Sequence, residues 1–387
     1  MAKYITEITK NGNIAVDDTI LVKDVPATAG SKMLYNFKPL FSAEAVERLT
    51  AAGYTLSGKT AVGEFGLDLY GETGAEVAAA AKLVAEGSVK AALSVDLNGA
   101  PRRAAALTNT TFVKPTYGTV SRYGIIACAC SGEQIGVTAQ NAKDAAEILS
   151  VIAGHDPKDG TSLKAEKYEY KADASANGMK IALVKELYDA ADDAVRAKID
   201  AAVSVYKEKG AEVEEISLPI LGAVSTAWTI LMSAETTNNL SRFDGVKYGH
   251  RTEKYKNIDE LYVGSRTEGF GFLTKATIIY GSDVLSKGRY EDCYDKALKI
   301  RRKAAEQTEE LFAKYDALLT PAYGKAEFET NPEEEAFNKV FEAGMFTALA
   351  SITGLPAVVS SGVQLVGDAF CDGKLLSLAA VLEKEEA

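Results

Sequence analysis

The sequence predicts an α/β fold in which a mixed β-sheet is covered by helices on both faces. Two observations favour it: short apolar strands recur along the whole chain, and amphipathic helices separate most of them. The chain has 387 residues, 47% of them hydrophobic and 25% charged, which is typical of a globular protein with ample core.

The first part of the chain is predicted to form a hairpin, two further strands and two helices. Residues 3–22 alternate polar and apolar side chains around Asn11-Gly12, a pattern typical of a β-hairpin. Ser42 is placed to cap a short helix that ends at Gly53. The other elements predicted here are the strands Tyr54–Ala61 and Val89–Val95 and the alanine-rich helix Ala75–Glu86.

The remaining elements alternate in type, which favours a sheet covered on both faces. A helix is predicted over Asn141–Ala153. The polar, lysine-rich residues 155–178 that follow are predicted to form a surface connection. A βαβ unit follows, and later segments are mostly helical with short apolar strands between them. These elements are Met179–Val184, Asp192–Lys209, Ala211–Leu218, Tyr290–Tyr315, Ala317–Thr320, Ala357–Ser360 and Val363–Val366.

Composition excludes several classes of protein. The 54 acidic and 43 basic residues give a net charge of −11, which argues against direct nucleic-acid binding but not against a partner that holds RNA. No apolar run reaches the roughly 20 residues that span a bilayer, and the first residues contain no signal-peptide pattern. Four cysteines and two histidines predict neither a disulfide framework nor a metal site, and they fit a reducing cytoplasm.

One stretch, Asp96 to Gly124, carries a family resemblance. Its second half contains Lys-Pro-Thr-Tyr-Gly at residues 114–118 and Val-Ser-Arg-Tyr-Gly at residues 120–124, and it resembles the amidase signature family. Within that family it is most similar to the glutaminase subunits of bacterial aminoacyl-tRNA amidotransferases. Collinear matches cover nearly the whole chain, among them Ile20–Gly30, Ala153–Asp159, Asn239–Gly245 and Gly354–Pro356.

The resemblance implies the family's large, twisted central sheet in a single domain over residues 1–387. Residues 1–154 would form the signature half, 155–178 the surface connection and 179–387 the second half. It also implies that about sixty family residues are absent before the first hairpin and about twenty between Phe65 and Gly74.

The resemblance further implies amide hydrolysis by a serine nucleophile, a bridging serine and a neutral lysine base. The lysine falls on Lys23, which is retained, and the nucleophile falls on Ala100. The bridging position falls on Glu76, with Glu72 or Thr73 as the nearest alternatives in register. Neither the nucleophile position nor any of the three candidate bridging positions carries a serine.

The oxyanion loop and the amino-acid pocket of the family are altered as well. Leu97-Asn98-Gly99 replaces Thr-Gly-Gly in the loop whose backbone N–H groups hold the oxyanion, and Pro101 removes a donor. The pocket that holds glutamine falls on Trp228, Thr277 and Gly344. Both charged partners of a zwitterionic ligand are therefore replaced by uncharged residues.

Three hypotheses about function follow from these changes. The first is a catalytically inactive paralogue with a binding or scaffolding role, which pairs with other amidotransferase-type subunits or with itself and uses no cofactor. The second is an active amidase or glutaminase with a substitute nucleophile, for which Ser94 and Thr108 are the candidates. The third is a binder of a small ligand around Trp228. In the first hypothesis Lys23 and Lys59 have structural roles.

Overall fold

An 11-stranded mixed sheet runs through the described part of the chain. The computed structural model describes residues 4–71, 77–164, 168, 170–329 and 332–383. The strands follow one another in the sheet in the order β1-β3-β2-β4-β6-β5-β10-β11-β9-β7-β8. Their bounds are β1 Thr6–Glu7, β2 Ile14–Asp17, β3 Leu56–Thr60, β4 Ala91–Asp96, β5 Thr111–Lys114, β6 Gln134–Ala139, β7 Lys180–Val184, β8 Glu212–Ile216, β9 Ala317–Thr320, β10 Ala357–Ser360 and β11 Val363–Val366.

Thirteen α-helices occur among the same residues, and most of them connect strands of the sheet. Their bounds are α1 Glu44–Ala51, α2 Ala79–Ala85, α3 Ala100–Thr108, α4 Ala142–Ile152, α5 Lys185–Asp189, α6 Asp193–Glu208, α7 Leu221–Leu240, α8 Ile258–Gly269, α9 Phe272–Val284, α10 Asp295–Phe312, α11 Ala336–Gly344, α12 Ala348–Thr353 and α13 Asp372–Glu383.

Helices cover both faces of the sheet, as the sequence predicts. Successive side chains of a strand point to opposite faces, so Ile181 and Leu183 of β7 enter one apolar cluster, and Ala182 and Val184 enter another. The first cluster contains residues of α1, α4, α6 and α13, and the second contains residues of α7, α10 and α12. Two separate cores therefore hold the sheet from its two sides.

The predicted hairpin over residues 3–22 is wrong. Strand β3 lies between β1 and β2, pairing antiparallel with β1 and parallel with β2. Gly12 lies against this inserted strand, since a Cβ there would be 2.4 Å from the backbone nitrogen of Ser57. Strands β1 and β2 therefore do not pair with each other across the Asn11-Gly12 turn, because each pairs with β3. Strand β3 is longer than β1 and so offers β2 more pairing positions.

Helix capping confirms two of the predicted helices and corrects a third. Asn141 accepts from the Asp144 N–H at 2.8 Å, and Asp192 accepts from the Val195 N–H at 2.8 Å, so α4 and α6 begin as predicted. Ser42 caps no helix: its hydroxyl accepts from the Lys23 N–H, and Ala43 precedes α1. The predicted helix Ala75–Glu86 is shorter, since α2 begins at Ala79, and Ala75 and Glu76 lie outside the described residues.

The βαβ unit is confirmed, with β7 and β8 parallel and α6 between them. Strands β9, β10 and β11 have the predicted bounds. The connection 155–178 has neither helix nor strand in its described part, but it is not entirely at the surface, since Asp156, Tyr170 and Ala176 are buried. Among the residues that the structure describes, none of the helices combines the length and apolarity needed to cross a membrane.

Candidate active site

The candidate site lies at one edge of the sheet, where parallel strands β2, β3 and β4 end. Strand β2 pairs in parallel with both neighbours, so the carboxyl ends of the three strands meet there. Such an edge is the usual location of a site in an α/β sheet. From β4 the chain passes into α3, which begins at Ala100, through a short connection. Residues 97–100 form the Ala100 loop.

The Ala100 loop is closely packed and buried. Gly99 has φ +94°, and a Cβ on it would lie 2.4 Å from the Cβ of Thr347, so only glycine fits the position. Ala100 is 3% exposed, and its methyl group carries no nucleophilic atom. Pro101, which follows it, has no backbone N–H to offer an oxyanion. The loop therefore lacks both the reacting group and one of the donors that amide hydrolysis would use.

Side-chain hydrogen bonds fill the space around this loop. Asn98 Nδ2 donates to the carbonyl of Leu67 at 2.8 Å. Buried Arg103 donates to the carbonyls of Leu69 and Asn98, at 2.7 and 3.0 Å, and to the hydroxyl of Thr347 at 3.0 Å. That hydroxyl donates in turn to the Asn98 carbonyl at 2.7 Å. These side chains and carbonyls satisfy one another, so the contacts brace the loop.

Arg102 holds the base of the same loop. Its guanidinium pairs with both carboxylate oxygens of Asp96, at 2.8 and 3.0 Å, and both side chains are fully buried. It also donates to the Thr347 carbonyl, to Gln364 and to Ser351. The geometry assigns Arg102 a bracing role.

Asp17 is the charged residue at the end of β2, beside the end of β4. It accepts from Thr60 Oγ1 at 2.9 Å, from Ser94 Oγ at 3.2 Å and from the Val95 N–H at 3.2 Å. Burial raises the pKa of this carboxyl to about 7, although the hydrogen bonds act in the opposite direction. A buried carboxyl group therefore lies at the end of β2, beside the segment that leads to Ala100.

Lys59, near the end of β3, forms a buried charge cluster with Asp17 and Asp18. Its ammonium donates to the carbonyl of Ile20 and lies 3.9 Å from Asp18 Oδ1. Burial lowers the pKa of Lys59 to about 8, while Asp18 and Asp17 raise it. Asp18 also accepts from the backbone N–H and the hydroxyl of Thr28. The lysine is thus fixed by structural partners, as the sequence predicts for Lys59.

Lys23 lies away from this cluster, in the loop between β2 and α1. Its side chain is exposed, and its backbone N–H donates to Ser42. Among the described residues its ammonium has no hydrogen bond or ion pair with the Ala100 loop. Exposure does not fit the buried amine that a lysine base requires, so the assignment of Lys23 as a retained base has no structural support.

The other predicted positions are distributed as follows. Glu76 and its alternatives, Glu72 and Thr73, lie outside the described residues. Trp228, Thr277 and Gly344 lie on α7, α9 and α11, three helices that contact one another, so the structure brings these elements together. Thr277 is buried and donates to the Leu273 carbonyl of its own helix at 2.8 Å.

Trp228 does not line an open pocket, because its ring packs against Gly132, where a Cβ would lie 2.0 Å from the ring. Trp228 is only 2% exposed. The three positions that the resemblance assigns to the glutamine pocket therefore carry no charged side chain, and the side chains of Trp228 and Thr277 are buried.

Sequence reasoning missed Asp17 as a site residue. The signal was present in Ile14-Ala15-Val16-Asp17-Asp18, where an apolar strand runs directly into two carboxylates. Carboxylates at the end of a buried strand are candidates for an active site, because burial shifts their pKa and shifted pKa values are common at active sites.

Metal ligation finds no support in the described part of the chain, where no group of three or more His, Cys, Asp or Glu side chains could hold an ion. All four cysteines are free thiols.

The amidase family model matches residues 13–76 and 78–376. The chain belongs to the amidase family. A curated relative, the A subunit of glutamyl-tRNA(Gln) amidotransferase from Caldanaerobacter subterraneus subsp. tengcongensis, is 33% identical over 99% of this chain and 86% of its own length. The corresponding protein of Latilactobacillus sakei is 36% identical over 92% of this chain and 79% of its own.

A solved relative agrees with the fold. The crystal structure of the same-named protein of Thermotoga maritima superposes with a TM-score of 0.79 at 26% identity, covering 98% of this chain and 87% of that one. Two predictions from the sequence are therefore confirmed, namely the mixed α/β fold and the resemblance to this class of amidotransferase subunits.

Proposed function

We propose that this amidase-family chain does not hydrolyse amides and acts instead by binding. The observation that supports this most directly is the buried Ala100 at the start of α3, where the resemblance expects the nucleophile. The loop around it is braced by Arg103 and Thr347, both of which donate to the Asn98 carbonyl, and Pro101 offers no backbone N–H to a bound substrate. Losing one member of such a catalytic unit already removes most of the rate.

An assay of ammonia release tests the absence of hydrolysis. Purified protein is incubated with glutamine and, separately, with a peptide amide, and ammonia is measured by a coupled glutamate dehydrogenase reaction. We expect no release above the protein-free background, while a glutaminase run in parallel gives a strong signal. The Ala100→Ser variant should stay equally silent, because the one change restores no bridging serine and the Lys59 ammonium is held by the Ile20 carbonyl and Asp18. Enzymatic release by the wild-type chain would overturn the proposal.

One observation favours the second candidate, an amidase with a substitute nucleophile. Ser94 Oγ donates to Asp17, a buried carboxyl whose pKa is raised to about 7 and which could accept a proton. The cavity beside them holds only about 20 Å³, enough for about one water molecule. Thr108, the other candidate, donates to Ala104 within its own helix.

A fluorophosphonate probe followed by peptide mapping separates the two candidates. Labelling of Ser94 in the wild-type chain, absent in Ser94→Ala, would support the substitute nucleophile. No labelled peptide supports the silent site.

We further propose that the binding role involves a protein partner in the cytoplasm, either a second copy of this chain or another amidotransferase-type protein. The relatives are named as subunits of an amidotransferase, so each is one part of an assembly. The four free thiols agree with a reducing compartment. We also propose that residues 1–387 form one domain, since one sheet collects strands from both halves.

Sedimentation at the working concentration tests the partner. A species heavier than 41.1 kDa is expected for the chain alone or mixed with the amidotransferase subunits of its own cell. A strict monomer under both conditions would contradict the proposal.

A further inference from the structure

A second feature of the molecule is a cavity of about 690 Å³ bordered by residues 64–70, the start of α9 and helix α11. Its volume lies in the range of pockets that hold small organic ligands. Its apolar walls include Leu69, Tyr70, Phe270, Phe272, Leu273 and Val340. Tyr70 is held edge-on against Tyr323 and Phe328, so the aromatic wall is fixed in place.

The charges that line this cavity are mostly negative. Five carboxylate side chains face it, against the two lysines Lys32 and Lys339. The five acids are Glu64, Asp68, Glu268, Glu329 and Glu333. Aromatic faces beside carboxylates favour a cation, because both attract positive charge.

Four of the five carboxylates already have partners within the protein. Glu64 accepts from Ser31 and from the Gly271 N–H, and Glu268 accepts from His250 and Thr252. The remaining two accept as well, Glu329 from the Tyr323 hydroxyl and Glu333 from the Phe272 N–H. These groups set the negative potential of the cavity, but their oxygens are engaged.

Asp68 is the exception. It is 3% exposed and lines the cavity, and its Oδ1 accepts from the Gly71 N–H at 3.2 Å. Its Oδ2 is buried and has no hydrogen-bond partner among the described residues. The neighbouring Gly63 makes room for this carboxyl, since a Cβ on it would lie 2.1 Å from Asp68 Cγ. A buried, unpaired carboxylate oxygen is costly, and a ligand that supplies a donor would remove that cost.

Arg103 does not supply this donor, although its charge acts on Asp68. Its guanidinium nitrogens are directed to Leu69, Asn98 and Thr347. Burial raises the pKa of Asp68 to about 6, which leaves the group mostly ionised at neutral pH. A metal ion is a poor occupant, because the described residues offer no cluster of three ligands. A single carboxylate beside aromatic walls suits an organic ammonium or amidinium group better.

We propose that this cavity binds an organic cation, an amine or amidine with an apolar arm, whose charged group pairs with Asp68 while the arm packs against Tyr70 and Phe270. The proposal rests on the proposed binding function and gives the chain a small-molecule ligand in addition to the protein partner proposed above. It stands or falls separately, because ammonia release tests hydrolysis and says nothing about amine binding.

Isothermal titration with a matched series of probes tests the ligand class. Phenethylamine and benzamidine are the cations, 2-phenylethanol is the neutral analogue and phenylacetate the anion. We expect both cations to bind at least about tenfold more tightly than the alcohol, and the anion to bind most weakly. Equal affinity for the alcohol and the cations would overturn the proposal.

Three variants locate the site. Asp68→Asn keeps the shape and the acceptor for Gly71 and should weaken cation binding about tenfold or more, with the alcohol unaffected. Glu334→Gln is the matched control, because it removes one exposed charge next to the cavity without lining it. Val340→Phe narrows the cavity and should weaken all the ring-bearing probes.

Circular dichroism checks the fold of each variant. A folded Asp68→Asn protein that binds cations as the wild type does would refute the proposal. If that variant does not fold, unchanged cation affinity in Val340→Phe would refute it instead.

Discussion

The Ala100 loop and the Asp68 cavity share a border, the segment Leu67–Leu69, but differ in how their buried polar groups are satisfied. At the loop, Asn98 and Arg103 donate to the carbonyls of Leu67 and Leu69, so both side chains have protein partners. In the cavity, one oxygen of Asp68 is left without one among the described residues. The contrast is the physical basis of our two proposals, a structural role for the first region and ligand binding in the second.

Family resemblance directs attention to the first region, because the signature motifs lie around it. Its charged residues are engaged in bracing contacts such as Arg102 with Asp96. Residues 114–124 do not line the cavity, and the feature that distinguishes it is the buried Asp68 Oδ2, which has no hydrogen-bond partner among the described residues. A motif therefore marks ancestry, whereas an unsatisfied buried group marks where a ligand can still contribute energy.

The largest effect on stability is expected from removing Arg102. In Arg102→Met the carboxylate of Asp96 is left buried without its partner, which should lower the free energy of unfolding by about 3–5 kcal/mol. Urea denaturation followed by circular dichroism measures the change. Arg302→Met, at an exposed pair with Glu306, is the control and should leave the midpoint unchanged. An equally small effect at Arg102 would show that the loop is not braced as described.

A smaller effect, dependent on pH, is expected at Asp17. Its folded-state pKa of about 7 lies above the ordinary value of 3.8, so the folded chain holds the proton more tightly than the unfolded chain. The stability that this proton contributes is therefore present at low pH and is lost as pH rises towards 7. In Asp17→Asn the loss is absent, so the variant should gain about 2–3 kcal/mol relative to the wild type between pH 5 and pH 8.

Urea denaturation of both proteins at the two pH values measures this difference. The matched control is Asp193→Asn, a change at an exposed carboxylate, which should leave the pH dependence as in the wild type. Parallel pH profiles for Asp17→Asn and the wild type would contradict the environment described for Asp17. That result would also weaken the contrast between the two regions, because Asp17 would then behave as a solvated group.

Much of the fold could be predicted because its signals are local. Asn141 and Asp192 cap their helices through N–H groups three residues away, and the apolar strand Ala317–Thr320 is bounded by its own neighbours. The pairing of β1 and β2 could not be predicted correctly. The strand that lies between them comes more than forty residues later, at Leu56–Thr60. Local patterns do not rank the partners that a strand meets across the sheet.

The candidate site divides in the same way. Alignment of the motif around Lys114 placed Ala100 at the nucleophile position, and the structure puts this residue at the start of α3 beside the end of β4. The same reasoning chose Lys23 as the base, although that side chain is exposed. The neighbouring residues in the sequence do not distinguish a buried lysine from an exposed one, because burial is set by elements distant in sequence.

The sequence by itself determined the family, the alternation of strands and helices, and the absence of a hydroxyl at position 100, because these depend on residue identity and short-range spacing. Only the tertiary structure decided which charges are buried together, namely Asp17, Asp18 and Lys59, and that Asp68 Oδ2 is buried with no hydrogen-bond partner in the described part of the chain. The physical reason is that desolvation and hydrogen-bond satisfaction depend on every element packed around a group, and those elements come from across the whole chain.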